Sequence, residues 1–215
     1  MIDPSRFRVR TAWHEAGHLT AAHLLGVPIG TATIDPTDTE AGCAEIGLPA
    51  IDTTTPLTAG PTVARPDDLR RAVETEAVVL LAGNLAERHA PADLTRSYRT
   101  ADLADRVTER LETANQPASP YIDRTASIDT NPPGDEQRTF ALLWWFHGPG
   151  RERAAVTHLD HLTAEADWLL STSIARRALG AIAAELLEHD TVDADRLVEL
   201  ARHAAPAALT ADWSR

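Results

Sequence analysis

The sequence predicts a mainly α-helical protein of the α+β class, with one small β-ribbon in its N-terminal half. Three observations carry this. The first 25 residues form a helix pattern with clear start and stop signals. Residues 77–83 are a continuous apolar run inside a second helical pattern. From Asp135 to about residue 205 the pattern stays helical, broken only at Gly148-Pro149-Gly150 and around Asp190 to Asp193.

Asp3-Pro4 is a cap followed by a first helical residue, and Gly26 with Pro28 ends the helix that runs from about residue 5 to Leu25. Residues 31–35 and 43–48 read as short strands around a polar turn ending in Gly42, and the Thr- and Pro-rich stretch 52–66 as a loop. Asp67 and Asp68 open a helix to about His89. Its centre is apolar on all sides and should be buried, and Gly83 would admit another helix at close range. A third helix is expected from about Thr95 to Thr113, with Leu103, Val107 and Leu111 on one stripe. Residues 114–134 carry four prolines and read as a long loop. The expected organisation is therefore a first half (1–113), the proline-rich loop (114–134) and a helical half (135–215), packed as one domain. Trp144-Trp145-Phe146 holds more aromatic area than one helix face can bury, so part of it is expected in the core and part at an oligomer interface.

Formal charge is −12 and the pI is near 5.1, which argues against a nucleic-acid partner. All 20 basic residues are arginine. The single cysteine, Cys43, excludes an intrachain disulfide and a four-thiolate zinc site, and reads as a small packed residue. The N-terminus lacks a signal-peptide layout, and no apolar run approaches the roughly 20 residues of a membrane helix. A soluble, cytoplasmic protein with no membrane partner is expected.

Chemistry concentrates in Trp13-His14-Glu15-Ala16-Gly17-His18. On a helix, His14 and His18 project from one face one turn apart, the spacing that grips one Zn²⁺. Glu15 is placed to take a proton from a metal-bound water. Catalytic zinc usually takes a third protein ligand. The metzincin arrangement would need Gly at 21 and His at 24; the chain has Ala21 and Leu24, with His23 one residue out of register. Acidic candidates remain: Glu74 and Glu76 in the second helix, Asp93 in a loop, Asp102 and Asp105 in the third helix. Asp102 stands beside Leu103 at the edge of the apolar stripe, and spacing alone does not choose among them. His158 and His161, with Asp160, read as solvated helix surface.

The chain resembles the peptidase domain of the FtsH-type ATP-dependent zinc proteases. The resemblance runs through His14-Glu15-Ala16-Gly17-His18, Thr33-Ile34-Asp35-Pro36, Gly42 to Pro49, and Leu81-Ala82-Gly83-Asn84-Leu85-Ala86-Glu87. It continues at Asp102-Leu103 and then at Leu186-Leu187-Glu188, Thr191-Val192-Asp193 and Leu197, in order over roughly residues 8–202. It departs at Arg106-Val107, where the family has Ala-Thr. The resemblance implies a zinc metalloendopeptidase acting on unfolded proteins or peptides. His14, His18 and Asp102 would be its metal ligands, with Asp105 the fallback, and Glu15 its general base. The family's ATPase module and membrane anchor have no counterpart in the 215 residues. The alternatives are a peptidase subunit working with a separate ATPase, and a non-proteolytic zinc-stabilised interaction module. The family's hexameric state implies a homo-oligomer formed through the helical half.

Overall fold

The computed structural model describes residues 4–35, 42–51, 53, 67–90 and 134–204. It is mainly helical with a small antiparallel sheet. In chain order the elements are α1 (Pro4–Leu24), β1 (Ile29–Ile34), β2 (Gly42–Ile46), α2 (Asp67–Ala86), a 3₁₀ turn (Glu87–His89), α3 (Asp135–His147), α4 (Glu152–Ser171), α5 (Ser173–His189), β3 (Thr191–Val192) and α6 (Ala194–Ala204). The expected helix from 95 to 113 and nearly all of the two expected loops lie outside the described residues.

α1 is the central element, packed against α2 and α5 at once. It is rich in alanine, the best helix former, and its small side chains let both neighbours approach. Ala12, Ala16, Leu19, Ala21 and Ala22 are fully buried. Gly17 marks the tightest crossing: a Cβ there would meet the Ala82 carbonyl oxygen and the Ala86 Cβ at 2.5 Å each. α1 ends as expected at Gly26, whose φ of +73° is the left-handed C-cap conformation.

α2 begins with Asp67 and Asp68 in its first turn, favourable against the helix dipole, and buries Val73, Ala77 to Gly83 and Leu85. Its all-round burial follows from lying between α1 on one side and α3 and α4 on the other. Thr172 divides α4 from α5, a break that periodicity does not announce. Its hydroxyl caps α5 by accepting from the Ala175 N–H at 3.1 Å.

The sheet order is β2-β1-β3, all antiparallel. The two-residue β3 was expected only as a turn; it pairs Val192 with Ala32 and Thr191 with Thr33. Asp190, at φ +56°, supplies the carbonyl that accepts from Ile34 N, and its carboxylate pairs with Arg8 of α1. This small junction ties α1, α5 and the sheet together. Among the described residues no helix is long and apolar enough to cross a membrane.

Candidate metal centre

His14 and His18 lie on one face of α1, with ring centroids 4.7 Å apart in an edge-on arrangement. Both Nε2 atoms face the same oxygen, Oδ2 of Asp135 at the start of α3, at 2.9 and 3.1 Å. The three ligand atoms lie within 4.8 Å of one another. Atoms bound to one tetrahedral zinc ion stand about 3.3 Å apart, so the trio needs little adjustment to share a cation.

What lies behind each imidazole fixes its tautomer. His14 Nδ1 is 2.9 Å from Glu87 Oε1, and His18 Nδ1 is 2.7 Å from the Val79 carbonyl oxygen. Both partners can only accept, so each Nδ1 bears the hydrogen and donates. In the neutral rings, each Nε2 then carries a lone pair, and both lone pairs point at a carboxylate oxygen. Three acceptors converging on one point require a cation or additional protons. An outer partner on the non-ligating nitrogen is also the usual arrangement around metal-binding histidines.

Electrostatics of the metal-free cluster follow the same logic. Burial opposes charge on His14, but hydrogen bonds to Asp135 and Glu87 outweigh it and raise the pKa to about 10. Burial likewise opposes charge on Asp135, yet hydrogen bonds from His14 and His18 hold its carboxyl well below the usual range. The other oxygen of Asp135 lies 3.7 Å from Arg138, and the first-turn position adds favourable dipole interaction. Behind His14 the Glu87 carboxylate continues to Arg10, 3.8 Å away.

Two glycines make the space. A Cβ on Gly83 would stand 2.5 Å from Cε1 and Nε2 of His18 and 2.8 Å from Nε2 of His14. Gly83 admits the neighbouring helix at close range as expected, and what α1 presents to it is the pair of imidazoles. Gly42, the first residue of β2, lies against Glu15, whose Oε1 would be 2.5 Å from a Cβ there. Glu15 is buried at 6 % exposure, and burial pushes its carboxyl above the ordinary range.

The structure thus brings His14, Glu15 and His18 together as the spacing implied. The carboxylate that joins them is Asp135, which sequence reasoning treated only as the opening of a helix. Asp102, Asp105 and Asp93 lie outside the described residues. Glu74 is elsewhere, 3.2 Å from His158 Nε2, and Glu76 is buried within α2. His158 is not surface: its side chain is 11 % exposed and it also meets His147. His161, 66 % exposed, is surface as expected. Cys43, expected to be packed, is exposed on β2. Of the aromatic cluster, Phe146 is buried and Trp144 and Trp145 are half-buried. Neither a scan against protein-family models nor a search of curated proteins returns a match to this chain.

Proposed function

We propose that this protein is a zinc-dependent metallopeptidase that hydrolyses peptide bonds in extended polypeptide segments. The carrying observation is the convergence of His14 Nε2, His18 Nε2 and Asp135 Oδ2, with a buried carboxylate on the adjacent residue, Glu15. The donor set, two imidazoles and one carboxylate with the rings oriented from behind, suits zinc. When bound, zinc supplies Lewis-acid activation of water and of the scissile carbonyl.

Glu15 holds and moves the proton. Its raised pKa brings it closer to the range where a carboxylate accepts a proton near neutral pH and returns it to the leaving amine. Gly42 leaves the room that Glu15 occupies and places it beside β2, an edge strand of the described sheet. A substrate segment adding to that edge in extended form would pass Glu15, with its main chain held by strand hydrogen bonds. The resemblance to the FtsH-type peptidase domain supports the same chemistry, with Asp135 as the third ligand in place of Asp102.

Metal analysis together with casein or peptide hydrolysis by the wild type and Glu15→Gln tests the reading. The expected result is one zinc per chain in both proteins and a 10²- to 10⁴-fold loss of hydrolysis in the variant, on the order of general-base contributions. Equal hydrolysis by both, or a chain that binds no zinc, would refute it. Zinc-dependent melting without turnover under any condition would instead identify an interaction module.

A further inference from the structure

Away from the metal centre, α2, α3 and α4 meet through titratable side chains that the proposed hydrolysis does not use. His147 closes the last turn of α3, and its Nε2 lies 3.0 Å from Nδ1 of His158 in α4. His158 Nε2 lies 3.2 Å from Oε1 of Glu74 in α2. The acceptor role of an ionised carboxylate puts the hydrogen of His158 on Nε2. Its Nδ1 is then the acceptor for the Nε2–H of His147. One largely buried ring thereby uses both nitrogens to join three helices.

We propose that the His147–His158–Glu74 chain is an acid-sensitive clamp that fixes α3, and with it Asp135, against α2 and α4. The statement about Asp135 rests on the zinc reading above, whereas the clamp itself does not. α3 packs by Leu142, Leu143 and Phe146, and the clamp adds a directional polar tie at the end opposite Asp135. Phe146 lies in the same junction, its ring 5.3 Å from that of His147 and 6.1 Å from that of His158, with the Arg70 guanidinium 5.6 Å from its centre.

The charged groups facing His158 among the described residues are Glu74 and Arg70 from α2, His147 from α3, and Arg153 and His161 from α4. Burial, then the positive charge of Arg70 and His161, keeps the His158 pKa below its ordinary 6.5. Burial raises Glu74 against the pull of Arg70 and His161. A protonated His158 carries hydrogen on both nitrogens and no longer accepts from His147, so the tie to α3 in this tautomer is lost and re-forms only if His147 moves its own hydrogen to Nδ1. Because the folded-state pKa lies below the unfolded one, the clamp's contribution is complete above about pH 6.5 and shrinks as pH falls below it.

The test compares the full chain, freed of metal with a chelator, as wild type and as His158→Gln, by denaturant unfolding between pH 5.5 and 8. Both proteins keep His14 and Asp135, so the difference isolates residue 158. The wild type is expected to lose stability relative to the variant as pH falls below 6.5, its unfolding constant rising by up to about tenfold per pH unit. Equal pH slopes overturn the clamp. Ring-¹⁵N resonances of the wild type give a second reading that does not depend on the variant folding. His158 is expected as the Nε2–H tautomer titrating below 6.5, and the other tautomer or a higher midpoint overturns the proposal. With zinc added, affinity is expected to fall more steeply from pH 7 to 6 in the wild type than in the variant. Equal zinc slopes alongside unequal stability slopes overturn the link to Asp135. A chain that binds no zinc overturns that link together with the zinc reading, and the metal-free comparison still decides the clamp.

Discussion

Gly83 of α2 lies directly against the imidazole of His18, with His14 Nε2 on the same side. The backbone of one helix therefore forms the floor on which the two rings of another converge.

Gly83→Ala is expected to separate folding from metal binding. Alanine is favoured over glycine in a helix by about 1 kcal/mol, and the added methyl displaces side chains that can turn away. Metal-free stability should stay within about 2 kcal/mol of wild type, inside the usual range for overpacking. Zinc affinity should fall at least a hundredfold, because the rings can no longer share one point. Calorimetric zinc titration and melting in chelator measure the two effects, and wild-type affinity in the variant would contradict the geometry.

Asp135→Asn and Asp102→Asn distinguish the carboxylate that meets His14 and His18 from the ligand implied by the family resemblance. Loss of a charged ligand should weaken zinc binding by about 2 kcal/mol or more, on the order of a charge-assisted interaction. That loss is expected for Asp135→Asn and not for Asp102→Asn. The reverse ranking would assign the ligand to Asp102.

Glu87 acts through His14. Glu87→Ala removes the acceptor that holds Nδ1–H and leaves Arg10 without this carboxylate. Such outer partners typically contribute 10- to 100-fold in metal affinity, and that loss is expected here with Asp135 and His18 unchanged. Competition with a chromophoric chelator reads it directly.

Removing the metal leaves protons to hold the cluster. With its pKa raised to about 10, His14 stabilises the metal-free fold fully below pH 6.5, and this is lost as pH rises through 10. Asp135, shifted downward, contributes above its ordinary 3.8 and loses that contribution as pH falls. Zinc binding at pH 7.5 must therefore expel a proton from His14. Titration in buffers of different ionisation enthalpy should show about one proton released per zinc bound, and no release would contradict the raised pKa of His14.

Much of this arrangement was legible in the sequence because it is local. α1, its Gly26 stop and the His14–His18 spacing are all set within one turn or one cap, and α2 announced itself by a buried run flanked by Asp67 and Asp68. The carboxylate that meets the two histidines was not legible. Asp135 reads as an ordinary acidic residue in a first helical turn, which the helix dipole alone would justify. Its second role depends on where α3 docks, and neither Pro132-Pro133 nor helical periodicity encodes that. His158 was misread for a related reason: its partners, His147 and Glu74, come from two other helices, so its own charged neighbours suggested solvent. The cap at Thr172 rests on one hydroxyl, and β3 on two residues, both below the length at which a pattern forms.

His18 and Asp135 are 117 residues apart in sequence. An ion joining them would close a ring comparable to the largest that a disulfide commonly spans. Closing a loop of about 100 residues reduces denatured-chain entropy by the equivalent of about 4.7 kcal/mol in the simplest chain model. With one cysteine, this chain has no covalent means of making such a ring. A zinc ion would serve as its reversible cross-link, formed only after the N-terminal helix and the distant α3 have found each other. Metal occupancy would then report that the fold is complete.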